Sequence, residues 1–192
     1  VWSCAVPLLA ITATWAMDAP PAEPQIVVQP LRAGLHVVSG AGCNVAVWHG
    51  PDGTVLVDAG VVALAPKLLA AIEKIAPGPV RVVISTHWHP DHTGGNEHFA
   101  GSGSVLVAHD NVRARLSEPQ TVATYDLEVP AAAAGALPIV TFDDALSLHL
   151  NGDRLAALHV EAAHTDGDLL LWWEDANVVH VGDVYYSGTY PF

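Results

Sequence analysis

Short apolar runs separated by turn residues fill the chain between residues 26 and 60, and this pattern predicts β-strands rather than helices. The runs at 44–48 and 54–57 flank the sequence Gly-Pro-Asp-Gly at 50–53, which is typical of a hairpin turn. The first part of the chain is therefore predicted to be a series of antiparallel strands.

After residue 60 the apolar spacing changes to that of a helix. A helix predicted over 62–76 ends at the Pro-Gly-Pro sequence 77–79 and has one aliphatic face, formed by Leu64, Leu68, Leu69, Ile72 and Ile75. A continuous apolar run at 80–84 then predicts a buried strand. Shorter helices are predicted at 92–99 and 111–116, on either side of a strand at 105–107.

Strands dominate the last third of the chain. Residues 117–138 are rich in Pro and Ala and are predicted to form a loop or flap, after which strand runs follow at 139–142, 155–160, 169–173 and 178–181. Because helices and strands alternate early and strands prevail late, the predicted fold class is α/β (α+β), a sandwich rather than a doubly wound parallel sheet.

The first 17 residues carry no charge and precede a Pro-rich stretch at 19–24, which predicts a secretory signal and a linker. We assign residues 1–22 to this segment and residues 23–192 to one domain. An uncleaved anchor is the alternative, although the run is shorter than the ~20 residues of a membrane span. The prediction is a periplasmic or secreted protein with no stable membrane insertion once the signal is removed.

The charge balance narrows the range of partners. Seven Lys and Arg residues against twenty Asp and Glu residues give a formal net charge of −13, which repels phosphate backbones. Nucleic acid is therefore excluded as an expected partner, a small-molecule substrate is favoured, and the oligomeric state stays open. Without the signal only Cys43 remains, so no internal disulfide is expected, and its thiol is interpreted as a small buried apolar group.

The most informative segment follows the predicted strand 80–84 directly and reads His87-x-His89-x-Asp91-His92. In an extended chain His87 and His89 point to the same side, and Pro90 keeps His89 extended. Asp91 then falls at the predicted N-cap of the next helix, with His92 in its first turn. Three imidazoles and a carboxylate in so short a segment predict a metal site suited to Zn²⁺, although Mn²⁺ or Fe²⁺ can use the same ligands.

This segment resembles the signature of the metallo-β-lactamase superfamily, and three further motifs agree with it in order. The sequence Leu-Val-Asp-Ala-Gly around Asp58, the sequence His-Thr-Asp-Gly-Asp from His164, and the sequence Gly-Asp-Val around Asp183 resemble the other motifs of that family. The resemblance extends over about residues 26–192. It implies an αββα sandwich built from two sheets between layers of helices.

The resemblance also implies roles for these residues. His87, His89 and His164 would bind a first zinc ion, Asp91 and His92 would bind a second, and Asp183 would bridge the two. Asp58 would orient a ligand or the metal-binding loop, with a simple turn carboxylate as the alternative interpretation. An Asp at the bridging position is more similar to glyoxalase-II-like members than to the classical subclass B1 lactamases.

One ligand of the family is missing from the printed sequence. The superfamily supplies a further His to the second metal, whereas no His follows His180 here. We therefore expect a chain truncated at its C-terminus, a second half of the sandwich that is incomplete, and a second zinc site that lacks its last His.

The implied activity is hydrolysis by a zinc-bound hydroxide, with Asp91 as the catalytic residue that orients the nucleophile and moves its proton. The expected substrates are esters, thioesters, lactones or β-lactams. A phosphodiesterase of the same fold is one alternative, and the acidic charge argues against it. A non-catalytic zinc-binding module is the other, motivated by the missing His.

Overall fold

The computed structural model of the protein describes residues 24–32, 34–122 and 126–188. The signal and linker predicted for residues 1–22 lie outside these ranges. The described residues form a layer of short helices on one sheet, with a second sheet packed against its other face. The mixed fold class and the face-to-face sheets of the predicted sandwich are therefore confirmed.

The larger sheet has seven strands: β1 Val27–Arg32, β2 Leu35–Ser39, β3 Val45–Gly50, β4 Gly53–Val57, β5 Val80–Ile84, β6 Val105–His109 and β9 Val140–Phe142. Its strands follow the order β1-β2-β3-β4-β5-β6-β9. The first four are antiparallel, and Gly50 pairs with Gly53 across the predicted hairpin. From β4 onward neighbouring strands are parallel, so the carboxyl ends of β4, β5 and β6 meet at one edge.

Four short helices accompany this sheet: α1 Ala65–Ile72, α2 Pro90–Thr93, α3 Asn96–Gly101 and α4 Asp110–Leu116. Leu68 and Ile72 of α1 pack with Phe99 of α3 in a buried cluster on one face of the sheet. The helix predicted over 62–76 is shorter than expected. A 3-10 turn at Val62–Leu64 precedes it, and its α-helical part ends at Ile72.

The second sheet is an antiparallel ladder of four strands: β10 Ala145–Leu150, β11 Asp153–Val160, β12 Asp168–Trp173 and β13 Val178–His180. Alternate residues of β11 and β12 face the larger sheet, and Leu171 and Trp173 are at most 1% exposed there. Trp48 of β3 contributes an edge-to-face ring contact with Trp173 across this interface. The core between the sheets therefore follows from the two-residue period of the strands.

The other face of the second sheet is partly exposed. Leu158, Trp172 and Val179 remain 40%, 38% and 50% accessible. The pair Trp172-Trp173 reads as core from sequence, but successive strand residues point to opposite faces, and only Trp173 is buried.

The described parts of residues 117–138 contain more regular structure than the predicted loop. They contain the hairpin strands β7 Gln120–Val122 and β8 Leu127–Val129 and a 3-10 turn at Ala134–Ala136. The sequence interpretation also left out β10, although Ala145–Leu150 alternates small or polar residues with leucine. The strands β7, β8 and β10 are all short, and pairing with neighbouring strands contributes strongly to the stability of such strands.

The helix predicted over 92–99 is divided in two, because α2 ends at Thr93 and α3 begins at Asn96. A Cβ atom on Gly95 would lie 2.3 Å from the carbonyl oxygen of Ala59, and one on Gly94 would lie 2.5 Å from the backbone nitrogen of Val62. The two glycines thus allow the loop after β4 to approach this segment closely.

The prediction that Asp91 is the N-cap of the helix is wrong. The residue before α2 is His89, in the extended conformation that Pro90 favours, and Asp91 lies in the first turn. Its side chain is 45% exposed. The carboxylate of Asp91 is therefore available to a ligand rather than committed to the helix end.

Candidate metal centre

The predicted ligands meet at the carboxyl edge of the parallel strands, where ligands bind in open α/β sheets. Asp58 follows β4, and His87, His89 and His92 follow β5 directly. His164 comes from the loop between β11 and β12, and Asp183 follows β13. Residues that follow strands of two different sheets thus form one site. No local sequence pattern specifies that these segments meet.

Three imidazole nitrogens converge on one point. Nδ1 of His89 lies 3.1 Å from Nε2 of His87 and 3.0 Å from Nε2 of His164. Nitrogens at ~2.0–2.1 Å from a single tetrahedral ion lie roughly 3.3–3.4 Å apart, so small adjustments would let all three hold one metal. The donor set fits the zinc ion that the sequence predicts.

A second group of possible ligands surrounds His92. Its Nε2 atom lies 3.2 Å from a carboxylate oxygen of Asp183 and 3.5 Å from one of Asp91. The other oxygen of Asp183 lies 3.8 Å from Nε2 of His164, so this carboxylate stands between the two groups. The structure therefore brings together all six residues for which metal binding is expected, with the Asp183 carboxylate between His92 and His164.

Buried Asp58 orients His92 directly and His87 through Thr86. One of its oxygens accepts hydrogen bonds from Nδ1 of His92 at 2.8 Å and from Oγ1 of Thr86 at 3.0 Å, and the other accepts from the Thr86 amide at 2.7 Å. The Thr86 hydroxyl in turn lies 3.0 Å from Nδ1 of His87. These contacts place protons on the Nδ1 atoms of both imidazoles and leave their Nε2 lone pairs for a metal.

The backbone at Asp58 supports this role. Its φ angle is +68°, in the left-handed region that only a few non-glycine residues adopt, and its side chain is completely buried. Strained backbone of this kind persists only where surrounding contacts maintain it. The contacts to Thr86 and His92 provide that support, and they exceed what a simple turn carboxylate needs.

Burial and neighbouring charges shift the pKa values of His87, His92 and Asp183. Burial, reinforced by neighbouring His92, lowers the pKa of His87 to about 2, so this imidazole is neutral. Burial also favours neutral His92, but the charge of Asp58 and the hydrogen bonds that His92 donates to Asp183 and Asp58 outweigh it and raise the pKa of His92. Burial disfavours the anion of Asp183, yet hydrogen bonds from His92 and Tyr186 hold the pKa of that carboxyl below its usual range.

A tight turn presents His164. The carboxylate of buried Asp168 accepts hydrogen bonds from the amide of Thr165 at 2.6 Å and from its hydroxyl at 2.8 Å. Ala162, at the start of the turn, has a φ angle of +54°. Asp168, the second Asp of the His-Thr-Asp-Gly-Asp motif, therefore shapes the loop rather than facing the possible ligands. These ligands, called the metal group below, are His87, His89, Asp91, His92, His164 and Asp183.

The first Asp of the same motif ties the loop to α4. The side chain of Asp166 accepts hydrogen bonds from Nε of Arg115 at 3.1 Å and from its terminal nitrogen at 2.8 Å. The backbone carbonyl of Asp166 accepts a hydrogen bond from the side-chain amide of Asn111 at 2.6 Å. Two side chains of one helix thus fix the position of a residue two places from His164.

We expect Arg115→Gln to weaken binding of Zn²⁺ by about tenfold, since partners that orient a ligand contribute ~10–100-fold to metal affinity. Because the Arg115–Asp166 pair is largely exposed, the free energy of unfolding should change by at most ~1 kcal/mol. Competition with a chromogenic chelator measures the zinc affinity, and urea unfolding of the metal-free protein measures the free energy of unfolding.

The matched control is Arg154→Gln, because Arg154 forms a comparable exposed pair with Glu174 away from the site. It should leave the zinc affinity unchanged. Equal losses of zinc affinity in both variants would show that Arg115 acts only through general stability.

The turn that carries Asp183 is held by two residues that the sequence interpretation did not assign to the site. The ring of His180 contacts both the Asn44 carbonyl at 3.0 Å and the amide of Gly182 at 3.2 Å. The hydroxyl of Tyr186 donates to a carboxylate oxygen of Asp183. Each lies three residues from Asp183, and this closeness is the only signal that the sequence offers for their roles.

Cys43 lies nearer to the site than expected. A sulfur, a carboxylate oxygen of Asp58 and a nitrogen of His92 lie within 4.8 Å of one another. Burial raises the pKa of the Cys43 thiol, and its side chain packs partly against the apolar core. The interpretation of Cys43 as a small apolar residue is therefore correct in kind, although the residue also lines the site.

A large open cavity of about 1460 Å³ gives access to the possible ligands. His89, Asp91, His92, His164 and Asp183 all line it. Among the described residues, its walls come from β2, the loops after β2 and β4, the hairpin β7–β8, and β13 with the segment after it. A substrate of considerable size could therefore reach the metal group.

Comparison with known proteins agrees with this architecture. Residues 39–192 match the family described as the metallo-beta-lactamase superfamily. The linear primary-alkylsulfatase of Pseudomonas sp. (strain ATCC 19151) is 29% identical over 175 residues, covering 73% of this chain and 33% of that protein.

Solved structures show the same fold. A metallo-β-lactamase of Cronobacter sakazakii aligns with a TM-score of 0.71 and 21% identity, covering 86% of this chain and 66% of that one. A subclass B3 metallo-β-lactamase of Bradyrhizobium japonicum aligns with a TM-score of 0.63 and 22% identity, covering 76% and 56%. The chain thus spans about a third of the alkylsulfatase and less than two thirds of these structures.

Proposed function

The chain belongs to the metallo-β-lactamase superfamily, and from this premise we propose that it is a zinc-dependent hydrolase of esters, thioesters, lactones or β-lactams. The observation that supports this most strongly is the meeting of Nε2 of His87, Nδ1 of His89 and Nε2 of His164 at separations of 3.0–3.1 Å beside the cavity. Neutral nitrogens this close repel one another unless a cation or a proton lies between them.

In this proposal His87, His89 and His164 hold one zinc ion. Asp91 and His92 hold a second, and Asp183 contacts both. Zinc bound in this way supplies a nucleophile from water at neutral pH and polarises the reacting oxygen of the substrate. Asp58 and Thr86 keep the imidazoles in the tautomers that binding requires.

Asp91 is the residue proposed to handle the proton. Its carboxylate is 45% exposed at the cavity and lies 3.5 Å from Nε2 of His92. It can orient the attacking water and accept its proton as the new bond to the acyl carbon forms. The proton can then pass to the departing oxygen, sulfur or nitrogen, which yields an acid and an alcohol, thiol or amine.

Two alternatives stay distinct from this proposal. Phosphodiester hydrolysis is disfavoured by the net charge of −13. A zinc-binding module without catalysis is the other alternative. Similarity to the alkylsulfatase adds sulfate esters to the substrates that should be tested.

The location of the protein is proposed from residues 1–22, which predict export to the periplasm or secretion. Every helix that the structure describes has eight residues or fewer, too short to cross a bilayer.

Metal removal tests the proposed activity directly. The protein purified with Zn²⁺ should hydrolyse at least one member of a panel of nitrophenyl esters, thioesters, lactones, β-lactams and sulfate esters. Activity should disappear after dialysis against a chelator and return with added Zn²⁺, because the metal contributes several kcal/mol to the transition state. Metal content by mass spectrometry should show zinc bound before dialysis.

Three results would contradict the proposal. Turnover that persists in fully metal-free protein would exclude a zinc mechanism. Tight zinc binding without turnover of any panel member would favour the non-catalytic module, and turnover of a phosphodiester alone would favour the phosphodiesterase.

A further inference from the structure

The cavity beside the metal group has an apolar wall that none of the proposed catalytic steps uses. Trp88, Val122 and Leu127 line it, and so does Tyr185 on the segment after Asp183. We propose that the substrate carries a neutral alkyl or aryl group that packs against this wall while its scissile bond lies at the metal group. This inference rests on the proposed hydrolase function and specifies the class of its substrate.

The wall begins at the metal group itself. The ring of Trp88 lies edge-to-face against that of His89, with centroids 4.4 Å apart. Trp88 is only 8% exposed and belongs to a buried cluster with Val112 and Leu116, against which Val122 of β7 packs. The apolar surface is therefore continuous from a proposed metal ligand to the hairpin.

The outer part of the wall is exposed to solvent. Leu127 on β8 is 47% accessible, and Tyr185 is 67% accessible. Exposed apolar groups beside a site are typical of ligand-binding surfaces, because covering them with an apolar group removes both surfaces from water. Leu64 and Val61, after β4, add further aliphatic surface to the same cavity.

The charges of the cavity favour a neutral group over an anionic one. Asp91, Asp166 and Asp183 all line it. Among the described lining residues Arg115 is the only Lys or Arg, and its guanidinium is already paired with Asp166 through two nitrogens. Away from the metal group, an anionic tail would find no unpaired Lys or Arg among the described lining residues, whereas an alkyl or aryl group would meet apolar side chains.

Chain length tests the inference. With 4-nitrophenyl esters from acetate to octanoate, kcat/KM should rise with each added methylene, by up to about fourfold per group that is fully buried. The variant Leu127→Asn should flatten this dependence, and so should Tyr185→Asn, which lies outside the hairpin and so cannot disturb its strands. In both variants octanoate hydrolysis should fall more than acetate hydrolysis.

The matched control is Leu158→Asn. Leu158 has a similar exposure, 40%, but lies on the second sheet and does not line the cavity. This variant should keep the full dependence on chain length. If kcat/KM is independent of chain length in the native protein, or if Leu158→Asn flattens it as much as Leu127→Asn, the inference is wrong.

Binding of the neutral dye Nile red separates this inference from the proposed activity. Its fluorescence should rise with the native protein and with Leu158→Asn, and the apparent Kd should increase several-fold for Leu127→Asn and Tyr185→Asn. Equal dye binding by all four proteins would overturn the inference even if short esters are hydrolysed. Selective dye binding without hydrolysis would uphold the apolar site and reject the proposed function.

Discussion

Replacing His89 with alanine should remove one zinc ion per chain and lower hydrolysis by at least about a thousandfold. Nδ1 of His89 lies within 3.1 Å of Nε2 in both His87 and His164, so its loss leaves only two of the three converging nitrogens. Removing a partner that merely orients a ligand costs ~10–100-fold in metal affinity, and loss of a ligand should cost more. Several kcal/mol of transition-state stabilisation disappear with the metal, at 1.4 kcal/mol for each tenfold in rate.

The stability of the metal-free protein should respond differently. Burial and the charge of His164 lower the pKa of His89, so a proton on this imidazole is disfavoured beside the other two when no metal is bound. The variant His89→Ala should therefore unfold at an unchanged or slightly higher urea concentration when no metal is present. Zinc should raise the unfolding midpoint of the native protein far more than that of the variant.

His149→Ala provides the control for this experiment, because His149 is exposed on β10 and does not line the main cavity. It should bind the same amount of zinc as the native protein and retain full activity. Full zinc content and activity in His89→Ala would show that the convergence of the three imidazoles does not serve metal binding.

Replacing Asp58 with asparagine should have the largest effect on stability. Asp58 is completely buried and accepts three hydrogen bonds, from the amide and hydroxyl of Thr86 and from Nδ1 of His92. Asparagine has one acceptor oxygen and one NH₂ donor, so at least one of these donors would face another donor. Breaking a buried charge pair costs about 3–5 kcal/mol, and we expect the free energy of unfolding of the metal-free protein to fall by that amount.

The same variant should also bind Zn²⁺ about 10–100-fold more weakly. Without the Asp58 carboxylate, nothing fixes the proton of His92 on Nδ1, and the link through Thr86 to His87 is broken. Urea unfolding and chelator competition measure the two effects separately.

Asp144→Asn is the matched control, since Asp144 is exposed. Its effect on the free energy of unfolding should stay within ~0.5 kcal/mol. If Asp58→Asn retains both stability and zinc affinity, Asp58 is only a turn carboxylate, which was the alternative interpretation of its motif.

Periodicity predicted the strands of the larger sheet and its hairpin well, because each buried strand carries its own apolar run. It failed where contacts distant in sequence determine the structure. The break between α2 and α3 is an example, since Gly94 and Gly95 read as part of one helix until the loop of Ala59 approaches them. The N-cap predicted at Asp91 failed for a related reason, because Pro90 already begins the helix.

The supporting roles of Thr86 and Arg115 could not be predicted from the sequence. Thr86 reads as an ordinary residue after a strand, and Arg115 reads as a charge on a helix surface. Their roles depend on partners 28 and 51 positions away, Asp58 and Asp166. Only a chain that has already folded brings such pairs within hydrogen-bond distance.

The sequence alone determined the fold class, the family resemblance and the side chains that would bind metal. Apolar periodicity reflects burial, and the types and spacing of His and Asp residues reflect ligand chemistry; both are local properties of the chain. Tertiary structure decided which nitrogen of each imidazole faces the metal group, how Asp183 stands between the two sets of ligands, and which apolar residues form the cavity wall. These features arise where the carboxyl edge of one sheet meets the loops of the other, so they depend on distances that no single segment contains.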